Sequence, residues 1–174
     1  MTWYAALLRG IAPTNPAMAN ANLRAVATAE GLENVASVIS SGNLVFETDR
    51  DPADVETALE AAWPRELGFE AMTTLRSRAE LEEIVEMDPF AGLTHGPKTY
   101  LLVTFSKYPL ARIFWDESGP AVELVAVTER EIFTVNDTTL GAGLGGMNRL
   151  EDEIGKTITS RTWLTVERIL RKMG

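Results

Sequence analysis

The chain has no cysteine and only one histidine among its 174 residues. Without thiols there is no disulfide, no thiolate nucleophile and no cysteine metal site. His95 sits in the link between the halves, so a metal centre would have to rely on carboxylates alone, and none is expected. The G-x-S-x-G turn that presents a catalytic serine is absent as well. No apolar run approaches the roughly 20 residues of a membrane span. The opening MTWYAALLRG lacks the basic segment and small-residue cleavage site of a signal peptide. Basic residues are outnumbered 16 to 25, for a net charge of −9. Such a chain repels a phosphate backbone unless its cations cluster, so nucleic acid is not the expected partner. These exclusions fit a cytoplasmic protein without disulfides.

Hydrophobic residues make up 45% of the chain, enough for one large domain or two small ones with a real core. Trp3 to Leu8 is apolar on both parities, the pattern of a central strand covered on both faces. A Pro/Asn loop follows from Ile11 to Pro16. The spacing predicts a helix over Met18–Gly31, a hairpin from Val35–Ile39 and Leu44–Glu47, and a helix opened by Asp51-Pro52 with Val55, Leu59, Ala62 and Trp63 on one face. A strand over Phe69–Leu75 and a helix over Ala79–Met87 complete the first half. A breaker-rich link, Asp88 to Pro97, leads to a second all-apolar strand, Tyr100–Phe105. Beyond it are a hairpin, Val122–Thr128 with Glu131–Val135, a short helix over Asn148–Gly155, and a last helix over Arg161–Met173. Trp163, Val166, Ile169, Leu170 and Met173 form the apolar stripe of that helix.

The fold class expected is α+β, built from two ferredoxin-like halves of β-α-β-β-α-β type, 1–88 and 98–174. They stand as separate halves or pack as one compact unit. In a split β-α-β unit the right-handed crossover leaves a gap that the third strand fills, which makes strands 1 and 3 central. The end of strand 1, the start of helix 1 and the hairpin between strands 2 and 3 then share one sheet edge. Arg9, Gly10, the loop Ile11–Pro16 and Ser40, Ser41, Gly42 and Asn43 converge there. An arginine, hydroxyls, an amide and a helix N-terminus suit an anion. The same Ser-Ser-Gly-Asn is also ordinary turn chemistry.

YAALLRGI, VISSGNLVFE and ITSRTWLTVERIL, in that order along the chain, resemble the bacterial family called domain of unknown function 1697. Its members open on Y-x-A-L-L-R-G-I-N, carry an I-x-S-G-N-V-V-F hairpin and end on T-T-R-N-W-N-T-V. This chain departs at Ala12-Pro13-Thr14-Asn15-Pro16, where relatives have Asn-Val-Gly-Gly, and at Thr162 and Leu164, where asparagines are common. The resemblance implies two ferredoxin-like halves and no activity.

Other motifs are weaker. GAGLGG, Gly141 to Gly146, formally matches G-x-G-x-x-G and is followed by Asn148-Arg149 at its exit. Its preceding strand belongs to a hairpin and no acid-tipped parallel strand follows, so no dinucleotide cofactor is expected. Glu80, Glu82, Glu83, Glu86 and Asp88 read as a solvated helix face. Arg171 and Lys172 complement the dipole of the last helix. Arg161 stands beside Ser160 and Thr162, where that helix should be capped, and a cation there opposes the dipole. This points to an anionic partner. Two functional readings follow. The first is binding of a small anion, phosphorylated or nucleotide-like, through Arg9, Gly10, Ser41, Gly42, Asn43 and Arg161. The second is an assembly domain whose sheet face is an interface, as monomer or homodimer. RNA binding needs exposed aromatics and a basic surface; Tyr4 and Phe46 offer the former, and the charge opposes the latter.

Overall fold

Ala5, Ala6, Leu7 and Leu8 are each at most 1% exposed, so strand β1 (Thr2–Leu8) is covered on both faces, as its unbroken apolar run requires. The structure is a computed structural model that describes residues 1–111, 121–140 and 145–174, with the backbone alone for 145–149. It contains two units, Met1–Glu83 together with Glu167–Gly174, and Ile84–Val166.

In unit 1, β1 is followed by a 3-10 turn at Pro16–Met18, helix α1 (Asn20–Ala29), strands β2 (Glu33–Ser37) and β3 (Asn43–Thr48), helix α2 (Pro52–Leu67), strand β4 (Thr73–Ser77) and helix α3 (Arg78–Glu86). The sheet order is β2-β3-β1-β4, with antiparallel neighbours. β1 and β3 are therefore the central strands. Unit 2 repeats the plan with β5 (Tyr100–Ser106), β6 (Val122–Val127), β7 (Glu131–Asn136), α4 (Gly145–Ile154) and β8 (Ile158–Thr162), and α5 (Trp163–Lys172) begins in unit 2 and passes into unit 1 at Glu167. Its order, β6-β7-β5-β8, places β5 where β1 stands in the first sheet. The fold is α+β, two similar halves of ferredoxin-like type.

Several elements differ from their sequence pattern. The first helix begins at Asn20, because Asn15 caps Ala17 and Pro16 opens a separate 3-10 turn. The strand expected over Phe69–Leu75 lies at Thr73–Ser77. Phe69 instead stacks on Trp63 with ring centroids 6.4 Å apart. The last helix begins at Trp163, because residues 158–162 form β8. Its cap is Thr162, whose Oγ1 accepts from the Thr165 N–H at 3.2 Å. Of the glycine-rich GAGLGG segment, Gly141 to Leu144 lie outside the described residues, and Gly145 and Gly146 open α4.

The helix-facing side of the first sheet is closed by an apolar cluster. Ala6, Leu8, Leu44, Phe46 and Leu75 meet Leu23, Val26 and Ala27 of α1 and Val55, Leu59, Ala62 and Trp63 of α2. Each large side chain buried this way contributes about 1.5–3 kcal/mol. α2 also seals the outer strand. Glu56 Oε1 accepts from the Leu75 N–H at 2.7 Å and Glu60 Oε1 from the Thr73 N–H at 2.9 Å. Two carboxylates one helical turn apart thus satisfy backbone donors of a strand that has no further neighbour in its sheet among the described residues.

The second faces are buried too. In unit 2, Phe90 meets Phe133 and Trp163 edge-on, with centroids at 6.1 and 5.3 Å. Trp163 is 8% exposed and serves as a core anchor. Trp163→Ala is expected to cost about 3–5 kcal/mol in chemical denaturation. An unchanged midpoint and slope would show that this cluster carries no stability.

Candidate functional site

The Arg9 edge of unit 1 is assembled largely from backbone. The Leu8 N–H donates to the Gly42 carbonyl at 2.9 Å and the Arg9 N–H to the Met72 carbonyl at 2.8 Å. The end of β1 is therefore held between the hairpin on one side and the approach to β4 on the other. Gly42 has φ +77°, and a Cβ there would lie 2.6 Å from Ile11 Cγ1. The loop that follows Arg9 thus folds onto the hairpin, and only glycine leaves it room. Helix α1 joins the same edge, because Asn20 Nδ2 donates to the Ile39 carbonyl at 2.9 Å. The sequence-predicted convergence of strand end, loop, hairpin and helix start is present.

Asn43 is fully buried. Its amide nitrogen donates to the Val38 carbonyl at 3.1 Å and to Ser41 Oγ at 3.0 Å. The side chain therefore braces its own hairpin and fixes the Ser41 hydroxyl. Ser41 and Arg9 are half-buried, and Ser40 and Gly10 are exposed.

Strand register shows which of these groups share a face. Leu7 lies between Asn43 and Thr74, and Ala5 between Val45 and Arg76. Asn43, Thr74 and Arg76 thus lie on the second face, away from the helices, and Arg9 continues the same parity beyond β1. Arg76 has 0% exposure. Its Nη1 donates to Thr74 Oγ1 at 3.1 Å and to the Leu75 carbonyl at 2.9 Å. The guanidinium is thereby turned back along β4 toward the Arg9 end. Arg76, Thr74 and Asn43 thus share that face with the apolar Ala5, Leu7 and Val45, and Ser41 and Arg9 follow at its edge.

Arg161 does not stand at a helix cap. It lies within β8, 8% exposed, opposite Val103. Its Nη1 donates to Thr159 Oγ1 at 2.7 Å and to the Ser160 carbonyl at 2.8 Å. This is the arrangement of Arg76, so Arg161 is the counterpart in unit 2. Burial pulls its pKa down to about 10. The expected opposition to a helix dipole does not arise, since the residue belongs to a strand. Sequence reasoning missed Arg76 and Thr74. The signal was available in the repeat of Thr-x-Arg followed by Ser or Thr, at Thr74–Ser77 and Thr159–Thr162, each immediately before a helix.

His95 serves the fold. Its Nδ1 accepts from the Leu101 N–H at 3.2 Å and its ring lies 4.6 Å from that of Tyr100. Among the described residues no group of three or more His, Asp or Glu is placed to hold a metal ion, and no helix is long and apolar enough to cross a membrane. The side chains of Asn148 and Arg149 lie outside the described residues.

The profile of the family described as "Protein of unknown function (DUF1697)" matches residues 1–133, and the chain belongs to that family. A conserved bacterial protein from Streptococcus pneumoniae has a similar solved structure, with a TM-score of 0.72 and 21% identity over 99% of each chain. That likeness is one of fold. No curated protein matches the chain.

Two positions of this geometry are open to direct test. Gly10 shares the backbone of Gly42, with φ +78°, but a Cβ on it would meet nothing within 4 Å. Gly10→Ala is expected to cost about 1 kcal/mol, and Gly42→Val roughly 3 kcal/mol or more, the difference being the clash with Ile11. Equal losses in urea melts would show that Ile11 gives way freely. Arg161→Lys is expected to cost about 2–3 kcal/mol at neutral pH, because one ammonium replaces a fork of donors. A buried lysine has a folded pKa below its unfolded value of about 10.4. The unfolded chain then binds more protons, so stability of the variant rises with pH from neutrality to about 10.4 and levels off above it. With arginine, whose pKa is about 10, the corresponding rise begins only near that pH. Denaturant melts between neutral and alkaline pH separate the two curves. A flat curve for the lysine variant would mean that position 161 is solvated.

Proposed function

We propose that unit 1 binds a small anionic ligand, phosphorylated or nucleotide-like, at the Arg9 end of the second face of its sheet. One observation carries the reading: strand register sets Asn43, Thr74 and Arg76 on one face of the sheet, and at the adjoining edge the Arg9 backbone leaves β1 beside the hairpin, onto which the following loop folds. A guanidinium in a region screened from water interacts far more strongly with an anion than one in bulk solvent. Arg9 supplies charge at the mouth, Ser41 and Gly10 offer hydroxyl and backbone contacts beside it, and Asn43 holds the hairpin in place. Arg161 belongs to the second unit and is not counted among these residues.

Several features support binding in preference to catalysis. The residues named here are hydrogen-bond donors, and a general base is not among them. Its rigid parts are strand and hairpin, which position a ligand without closing over it. A phosphate or carboxylate group matches the forked donors of arginine, and the net charge of −9 disfavours an extended polyanion.

The test is a thermal-shift series over inorganic phosphate, simple carboxylates, sugar phosphates and nucleotides. A ligand at about 100 Kd adds roughly 2.7 kcal/mol to the apparent stability. Arg9→Gln, at a half-buried position, is expected to lower the melting temperature without ligand by no more than about 4 °C, the effect of about 1 kcal/mol in a chain of this length, and to weaken binding by about tenfold or more. If no anion stabilises the wild-type protein, or if Arg9→Gln binds as tightly, the reading fails. A concentration-dependent dimer that buries the Arg9 edge would favour the assembly reading instead.

A further inference from the structure

The two units share one plan, and the side of the second sheet that meets α4 departs from it in chemistry. Backbone hydrogen bonds fix the correspondence: the Ser106 N–H donates to the Arg130 carbonyl and the Lys107 N–H to the Thr157 carbonyl, as Leu8 does to Gly42 and Arg9 to Met72. Ile132 and Ile158 pack with Leu150 of α4, so residues on their parity line that side. Register then sets Thr104 where Ala6 stands, Thr134 where Phe46 stands and Ser160 where Leu75 stands. Three apolar core positions of unit 1 are thus hydroxyl residues in unit 2. Thr104 and Thr134 are 3% and 4% exposed, and the Thr104 and Ser160 hydroxyls bond each other at 2.6 Å. No strand position on this side of the second sheet is charged.

The same side holds a buried acceptor without a donor. Asn136 ends β7 on this parity, with Tyr100 opposite it on one neighbour and Val122 on the other. It is 4% exposed, and its Oδ1 has no hydrogen-bond partner. Its counterpart by register is Thr48, whose Oγ1 accepts from the Arg50 N–H at 3.2 Å. In unit 2 the equivalent N–H, that of Thr138, donates to the Pro97 carbonyl at 2.8 Å instead. An unpaired buried acceptor is unfavourable, and a bound group that donates to it removes that penalty. Tyr100 and Leu102, on this side of the central strand, are half-buried, so solvent reaches this end of the sheet.

We propose that this end of the second sheet binds a small uncharged polyol or sugar, with Asn136 Oδ1 accepting from a ligand hydroxyl and Thr134 and the bonded Thr104–Ser160 pair beside it. A hydroxyl both donates and accepts, so a ligand rich in hydroxyls matches an amide and a row of threonine and serine side chains alike. Residues two apart on a strand lie about 7 Å apart on one face, a span on the scale of a monosaccharide. The ring of Tyr100, with that of His95 at 4.6 Å, offers an apolar surface to the C–H side of such a ligand. An uncharged floor disfavours an ion, which would lose hydration without a countercharge. This site is independent of the anion reading of unit 1, since every residue named for it belongs to unit 2.

The test is a titration of the full chain with D-ribose, D-glucose, myo-inositol and glycerol, followed by thermal shift and by NMR. Each is used at about 20 mM, below the concentrations at which such compounds stabilise proteins by exclusion. At least one is expected to raise the melting temperature by several degrees and to move the side-chain amide resonance of Asn136. The rise is expected to vanish in Asn136→Leu, to shrink in Thr134→Val and to persist in Arg9→Gln. If Asn136→Leu does not fold, Thr134→Val and the Asn136 resonance carry the same comparison. A wild-type protein that responds to none of the four, or a response of equal size in wild type and Asn136→Leu, overturns the inference. A silent wild type together with a lower melting temperature for Asn136→Leu assigns the oxygen to an internal water and overturns it too.

Discussion

An arginine sealed from water imposes the tightest constraint in each unit. Removing a guanidinium from solvent costs several kcal/mol even after relaxation, and its five N–H donors need acceptors. Both units meet part of that demand in the same local way, with a threonine two residues earlier on the same strand and the carbonyl of the residue between them. The solution needs strand geometry, because residues two apart point to the same face only in extended chain. It also needs a modest neighbour on the central strand, and Ala5 and Val103 occupy that place. The identity of a short outer strand, the parity of the central strand and the direction of the guanidinium are thus one linked choice.

Much of this was legible in the sequence. Trp3–Leu8 and Tyr100–Phe105 announce strands covered on both faces, and the order of elements then leaves few topologies. The edge shared by Arg9, the Ile11 loop and Ser40–Asn43 followed from topology alone. The failures have physical reasons. β8 was hidden because Ile158–Thr162 is polar along much of its length and runs straight into α5, so a helix stripe masked a strand of five residues. Arg76 was hidden because charge in a strand reads as exposure, and nothing in a single strand shows what lies over its second face. The resemblance between TLRS and TSRT became meaningful only once register placed Arg76 and Arg161 at equivalent positions.

The two halves differ at the hairpin. In unit 1 the connection between the paired residues Val38 and Asn43 runs through Ile39 to Gly42, whereas in unit 2 Thr128 and Glu131 are separated only by Glu129 and Arg130. The longer turn places Ile39, a β-branched residue, at φ +49° and leaves it 41% exposed. Such a backbone persists only when its surroundings over-determine it, and here Asn20 holds the Ile39 carbonyl from helix α1. Gly42, in turn, admits Ile11 where Arg130 stands in the second unit. Unit 1 thus carries strain, extra length and close packing at the corner that unit 2 builds with a short charged turn.

A net charge of −9 and the proposed binding of a small anion are compatible because they act over different distances. At physiological ionic strength charges more than about 8 Å apart in solvent are largely screened, so the acidic surface weakly repels a small ion and repels a long polyanion along its whole length. At a buried group such as Arg76 the effective dielectric is lower, so charges interact at close range and at greater strength. On the proposed reading, an ion small enough to leave the solvent meets a cationic surface, while a nucleic acid meets only the acidic exterior.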